Sequence, residues 1–246
     1  MREKLRAAGI HLLVGLVLIS LVFCLVYFVW YPAPFYAYSG GKNLMELIFG
    51  VDLILGPLLT FIAFNKKKPL RVNLKDIAVI ACVQLVALGY GVHSAFQARP
   101  AFIAFDMTRF RVIHANEPDQ EGLDKAETRL PMWGPKLMGP LKPVERAELF
   151  DSTFKRLGVA TDAVPTNTWL PYEQVKPAVL ARSKPVQQLK ERFPARSAEV
   201  EAFLQKHQLA LANAVYLPII VNDALGSLVF DKANLDKPYY LDLDSF

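Results

Sequence analysis

The residue with the greatest potential for chemistry is an aspartate inside an apolar stretch. Asp52 lies within NLMELIFGVDLILGPLLTFIAF, a segment long enough to cross the hydrocarbon of a bilayer. An ionisable side chain at membrane depth is costly unless it is paired or neutral, so it marks a functional site by default. We therefore predict an integral membrane protein with something to recognise or stabilise inside the bilayer.

Three roles are open for Asp52. It forms a hydrogen bond within a helical bundle, where Gln84, Ser20 and Tyr90 are candidate partners at comparable depth. Alternatively it contacts the helix of a partner protein, or it belongs to a proton or ion pathway. The pathway role fits least, because the chain has few apolar segments and no inverted repeat.

The neighbours of Asp52 favour close packing of helices. One helix face carries Ile48, Asp52, Gly56 and Thr60, which recur every four residues. The second half of this face consists of the small residues Gly56 and Thr60, which let another helix approach closely. Pro57 has no N–H, so in an α-helix it frees the carbonyl four residues before it. Asp52, Gly56, Pro57 and Thr60 are therefore candidate partner-binding residues.

The rest of the chain offers little that resembles an active site. The sequence contains no Walker, nucleophile-elbow, zinc-protease or dinucleotide motif, and its Cys and His residues are scattered. Asp242 and Asp244 alternate near the C-terminus, which suits an exposed polar strand edge better than a calcium site. We therefore expect a protein that is not an enzyme and that uses no cofactor or metal.

Three apolar segments must position Asp52, and they lie within residues 1–96 at about 10–30, 44–64 and 77–96. Eight Lys and Arg residues flank them at the N-terminus and between the second and third segments, against Lys42 alone between the first two. The positive-inside rule then places the N-terminus in the cytoplasm and the C-terminal domain in the periplasm of a bacterium. Aromatic residues between Trp30 and Tyr38 are predicted to form an interfacial belt, with Pro32 and Pro34 ending the first helix.

Charge excludes a nucleic-acid-binding function. The net charge of +5 comes from the membrane region, because residues 97–246 hold nineteen basic and nineteen acidic side chains. A neutral globular half provides no basic surface for nucleic acid. The partners that remain are membrane lipids and other proteins.

Residues 97–246 are predicted to form a small α+β domain. Strands are expected at 101–106 and 109–115, around a turn at Met107–Thr108, and again at about 214–221, 227–231 and 239–244, so that both ends of the domain close one sheet. Helices are expected from Pro143 to Leu157 and near 186–193 and 197–208. The sequence LPMWGPKLMGPLKP indicates an ordered irregular loop anchored by Trp133, a further candidate partner-binding residue.

Several segments resemble the TfpX/TfpZ family of type IV pilin accessory proteins. The similar segments are REKLRAAGIHLL, GVDLILGPLLTFIAFNKKKP, QARPAFIAFDMTRFRVIHANE and LPMWGPKLMGP, and the C-terminal segment has a similar layout to the closing hairpin of the family. The resemblance implies an inner-membrane protein that associates with a type IV major pilin, alone or with other pilus assembly components. It also implies an accessory or chaperone role in the stability of the pilin or its assembly into pili.

The resemblance suggests a specific role for Asp52. Before assembly, type IV pilins reside in the inner membrane as single-span proteins. Each has a globular domain in the periplasm and an acidic residue in its membrane-spanning helix. Two carboxyls that meet in a low dielectric cannot both be ionised, so one would be protonated and donate a hydrogen bond. Two alternatives to this binding role are a membrane-anchored sensory or regulatory protein of pilus biogenesis and a pilin-modifying membrane enzyme.

Overall fold

A computed structural model describes residues 1–106, 108–118, 123, 128–139 and 170–246. The chain divides into two compact units, Met1–Arg99 and Pro100–Phe246. In the described residues, three helices are long and apolar enough to cross a membrane, and the second unit is a mixed sheet with helices. The predicted class, three N-terminal membrane-spanning helices and then a small α+β domain, is confirmed.

The three membrane-spanning helices, called spans 1 to 3, are Arg2–Trp30, Gly41–Ala63 and Leu70–Gln97. Span 1 is α-helical over Arg2–Cys24 and continues as a π-helix over Leu25–Trp30. Span 2 consists of an α-helix at Gly41–Phe49, a π-helical stretch at Gly50–Leu55 and a second α-helix at Gly56–Ala63. Span 3 is one continuous α-helix.

Span 1 ends before Pro32 and Pro34, as predicted, because proline cannot continue the hydrogen-bond ladder. A short helix, Phe35–Tyr38, follows it. The predicted aromatic belt is wrong for Trp30 and Tyr31, whose side chains are buried in the bundle, and for Phe35, which is buried as well. The Tyr31 hydroxyl donates a 3.0 Å hydrogen bond to the carbonyl of Ala95, so a polar tip that could face the headgroups is satisfied by span 3 instead.

The connection between spans 2 and 3 is fastened by two asparagines. The Asn65 N–H donates to Oδ1 of Asn73 at 2.9 Å, and Nδ2 of Asn73 donates to the Asn65 carbonyl at 2.8 Å. Asn73 is buried, so these bonds replace the water that its amide would otherwise bind. They close the hairpin at the end of span 2, where the last backbone carbonyls of the helix have no N–H partner within it.

The second unit is built on one sheet whose described strands are β1 (Pro100–Asp106), β2 (Arg109–His114), β3 (Lys136–Met138), β4 (Lys184–Pro185), β5 (Ala214–Val221), β6 (Ala224–Asp231) and β7 (Asn234–Leu241). Their order is β3-β1-β2-β5-β6-β7, with β4 also paired to β5. The contact of β2 with β5 is parallel and joins the strands that precede and follow the helices. The prediction that both ends of the domain close one sheet is confirmed.

In the described part of the second unit, the α-helices are Tyr172–Arg182, Gln187–Arg192 and Ser197–Lys206, with a 3₁₀ turn at Pro194–Arg196. The last two α-helices confirm the predictions near 186–193 and 197–208. Their apolar residues Leu189, Val200 and Leu204, with Val186 just before the first of them, form one core with residues of β5–β7. A second core gathers around Phe102 and Ile113 of β1 and β2.

Some expectations for the second unit need correction, and others fall on residues that the structure does not describe. The segment around Trp133 is not irregular throughout, because Lys136–Met138 pairs in parallel with β1 as an edge strand. Trp133 is also no buried anchor, since 75% of its surface is exposed. Met107 and the predicted helix from Pro143 to Leu157 lie outside the described residues.

Candidate functional site

The stripe predicted on span 2 faces the inside of the three-helix bundle. Ile48, Asp52, Gly56 and Thr60 are all buried, and Asp52 is only 6% exposed. The four-residue spacing therefore identified a real face, which packs against spans 1 and 3 of the same chain.

Gly56 provides the space in which Gln84 of span 3 reaches span 2. A Cβ atom added at Gly56 would lie 2.1 Å from Nε2 of Gln84, so it would displace the amide from this position. Nε2 donates a 3.1 Å hydrogen bond to the backbone carbonyl of Asp52. Gly56 and Asp52 thus form one contact with span 3.

Pro57 explains why that carbonyl needs a donor from outside. The sequence predicts a free carbonyl at Leu53 if span 2 is α-helical. The structure is π-helical over Gly50–Leu55, where bonds run to the fifth residue, so the N–H missing from Pro57 is the one that the Asp52 carbonyl would use. Gln84 supplies the hydrogen bond that proline withholds.

Thr60 contacts span 1 rather than span 3. Its Oγ1 and Nδ1 of His11 are 2.7 Å apart and form a hydrogen bond. Thr60 is fully buried, so this bond satisfies a hydroxyl that has no access to solvent. Sequence reasoning did not select His11, although a histidine in an apolar helix was the available signal.

The Asp52 carboxyl lines a cleft between spans 1 and 3 with a volume of about 130 Å³. The cleft is otherwise mainly apolar, and its polar lining residues are His11, Asp52 and Gln84. Asp52 Oδ1 and Gln84 Oε1 are buried and have no hydrogen-bond partner among the described residues. Two buried side-chain oxygens therefore lack a partner, on two residues that line this cleft.

Of the three bundle partners considered for Asp52, one contacts it. Gln84 does so through the backbone carbonyl. The Ser20 hydroxyl donates instead to the carbonyl of Leu16 in its own helix, at 2.7 Å. Tyr90 is on the exposed side of span 3.

Trp133 belongs to the second unit and is described separately from the bundle. It lies in the bend Pro131–Pro135 next to Met132, and both side chains are largely exposed. Adjacent exposed Met and Trp side chains are typical of protein contact surfaces.

A further polar cluster lies at the end of β2. Oε1 of Glu117 accepts a 2.9 Å hydrogen bond from the His114 N–H and lies 2.8 Å from Nδ1 of its ring, and Oε2 lies 3.4 Å from Nη2 of Arg111. Burial acts to raise the pKa of Glu117, but the hydrogen bonds from His114 and the nearby Arg111 charge prevail and lower it. In the described part of the chain, no group of three or more His, Cys, Asp and Glu side chains could hold a metal ion.

Known proteins resemble this chain over nearly its whole length. It is 32% identical to a protein named "Fimbrial assembly protein, serogroup I" from Dichelobacter nodosus, over 98% of this chain and 95% of that one. It is 30% identical to the serogroup E1 protein of the same name and organism, with the same coverage. A third, named for serogroups C1 and C2, is 38% identical over 44% of this chain and 82% of its own length.

The N-terminal region is also recognised separately. Residues 1–40 match the family described as "Fimbrial assembly protein FimB". No solved structure matches the chain. With two relatives at 30% identity or more across almost the full length of both chains, this protein belongs to the fimbrial assembly protein family.

Proposed function

We propose that this chain is an accessory protein of fimbrial assembly that binds a fimbrial subunit, the pilin, in the membrane and supports its stability or its assembly into pili. The near-full-length similarity to two proteins named fimbrial assembly protein carries the proposal. The family resemblance of the GVDLILGP segment and its basic loop agrees with it. The step that we assign is binding, without an enzymatic reaction.

We further propose that the protein lies in the inner membrane, with its N-terminus in the cytoplasm and its second unit in the periplasm. The support is the distribution of charge, with eight basic residues at one end of the spans and Lys42 alone at the other. Only two of those eight basic side chains form an ion pair among the described residues: Lys66 with Glu3 and Lys68 with Asp76, both at 2.7 Å.

Two contact regions suit the fimbrial subunit, called the client below, if it has both a membrane-spanning helix and a globular head outside the membrane. Spans 1–3 would bind the client's span, and the exposed Met132–Trp133 pair of the second unit would contact its head. Two modest contacts on one molecule act together, because the first raises the effective concentration of the second. The binding role therefore needs no single strong site.

Affinity capture of the full-length protein from its own membranes tests the proposal. The fimbrial subunit is expected to co-purify, and deletion of the gene is expected to lower subunit level or piliation without changing the subunit's mass. A changed mass would instead favour a pilin-modifying enzyme. If the subunit neither co-purifies nor changes in level, the accessory role is refuted.

Asp52 gives a sharper test of the membrane contact. Asp52→Ala removes both carboxyl oxygens and is expected to lower subunit level or piliation several-fold, whereas Asp52→Asn keeps the shape and a polar tip and is expected to preserve them. The membrane level of each variant must be measured in parallel. Equal piliation in wild type and Asp52→Ala contradicts a partner role. A partner role is also contradicted if piliation falls only as far as the membrane level of the Asp52→Ala protein falls.

A further inference from the structure

We infer that the cleft beside Asp52 is where the membrane-spanning helix of the client docks, by inserting one side chain that donates a hydrogen bond. The inference rests on the proposed function and adds to it the face of the bundle and the chemistry that is recognised. The cleft opens between spans 1 and 3, not along the outer face of span 2.

The two unpaired acceptors define what the cleft binds. Asp52 Oδ1 and Gln84 Oε1 are buried without a hydrogen-bond partner among the described residues, and both side chains line the same cleft. A buried polar atom that lacks its partner has lost its water without a replacement, so a donor that enters here gains more than its own hydrogen bond. A hydroxyl, a side-chain amide or a protonated carboxyl meets this requirement, whereas an apolar side chain or an ionised carboxylate does not.

The size of the cleft admits a side chain but not a whole helix. Its volume of about 130 Å³ is close to that of an engineered cavity of about 150 Å³ that holds one benzene molecule. Two small residues, Gly15 of span 1 and Ala81 of span 3, line it and let a neighbouring helix come close. A Cβ added at Gly15 would meet only the Asp52 carbonyl, at 4.0 Å.

The surroundings of the cleft favour a helix over a lipid as the occupant. Asp52 and Gln84 lie near the middle of spans 2 and 3, where lipids present hydrocarbon tails that have no donor. Val14, Leu18 and Leu85 line the cleft but are exposed on the outside of the bundle, so its mouth faces the surrounding apolar medium. A polar side chain on a membrane-spanning helix is the donor that occurs at this depth and needs a partner of its own.

In-cell photo-crosslinking of the full-length protein tests the inference with matched positions. A photoreactive residue at Leu85, which lines the cleft and is 56% exposed, is compared with one at Val86, which is 69% exposed but does not line it. Val14 and Leu13 make the equivalent pair on span 1. We expect adducts with the fimbrial subunit at Leu85 and Val14, at least several-fold above those at the neighbouring controls.

A second variant blocks the cleft without touching its polar residues. Ala81→Leu fills the space in front of Asp52 and is expected to abolish the Leu85 adduct while the protein keeps its membrane level. Asp52→Asn in the same assay is expected to retain the adduct, because it leaves the cleft open and polar.

The outcomes separate the inference from the proposed function. Two outcomes count against the cleft: the subunit co-purifies but crosslinks equally at Leu85 and Val86, or the Leu85 adduct is unchanged in Ala81→Leu. In either case the cleft is not the docking site and the accessory role stands. If crosslinks at both mouth positions join only residues of this chain or lipid, the cleft serves the bundle itself and the inference is refuted. Failure of the subunit to co-purify at all refutes the proposed function as well.

Discussion

Replacing Gly56 by alanine should loosen spans 2 and 3 because it displaces Gln84. The added Cβ would lie 2.1 Å from Nε2, and an ordinary contact needs 3.4 Å, so the amide must withdraw by about 1.3 Å (3.4 − 2.1). Such a shift breaks the 3.1 Å hydrogen bond to the Asp52 carbonyl. Pro57 has no N–H to replace it, so the carbonyl loses its donor inside the bilayer.

The magnitude follows from hydrogen bonds measured in membrane helices. Such bonds contribute about 0.6 kcal/mol on average and up to about 1.7 kcal/mol. Because this carbonyl is left unsatisfied, we expect the upper part of that range, a coupling energy of about 1–1.7 kcal/mol between Gly56→Ala and Gln84→Ala. In the Gln84→Ala background, Gly56→Ala should be neutral or stabilising, because the amide that it would displace is gone and alanine favours a helix.

A double-mutant cycle on the full-length protein in mixed micelles provides the measurement, with helical ellipticity followed as denaturing detergent increases. Gly50→Ala is the matched control, because a Cβ at Gly50 of the same span meets nothing within 4 Å. It should show no coupling to Gln84→Ala. If Gly56→Ala has the same effect in both backgrounds, the assignment of Gly56 as the space for Gln84 is refuted.

Two further predictions concern topology and pH. The topology test uses a protein in which Cys24 and Cys82 are replaced. In this background, Lys67→Cys should react with an impermeant thiol reagent only in inverted membranes, and Lys42→Cys only from the periplasmic side. The reverse pattern would overturn the orientation. Glu117→Gln should lower the free energy of unfolding at pH 7 and have little effect near pH 3. The pKa of Glu117 is lower in the folded protein than its ordinary value of 4.5, so the ionised carboxylate stabilises the fold at pH values above 4.5. This stability is lost as the pH falls through the pKa of the folded state. Denaturant unfolding at both pH values checks this, and an equal effect at pH 7 and pH 3 would contradict it.

Much of the architecture is predictable because it depends on local patterns. The spans follow from the length of their apolar runs, and the pairs β1–β2 and β5–β6 follow from alternating apolar residues around short turns. The helix Tyr172–Arg182 was missed because Pro177 lies inside it and hides a buried face formed by Tyr172, Val175 and Val179. Edge strand β3 was missed because three residues between Pro135 and Gly139 carry no periodic signal.

The candidate site was only half predictable. The four-residue repeat on span 2 identified the buried face, but it cannot say which helix covers that face. The contacts with Gln84 and His11 join residues 32 and 49 positions apart, and no local pattern encodes such pairs. The shift from Leu53 to Asp52 as the carbonyl that Pro57 leaves free arises from the π-helical register, which the sequence signals only weakly.

The dependence of span 2 on Gln84 sets a condition on the order of events during synthesis. Span 2 leaves the ribosome before span 3. Until span 3 follows, the Asp52 carbonyl has no donor, because Pro57 has no N–H and the amide of Gln84 is not yet present. Lipid offers no substitute donor, so span 2 on its own is poorly suited to enter the bilayer. The two helices should therefore leave the insertion machinery together as a hairpin, with the Asn65–Asn73 bonds closing its turn.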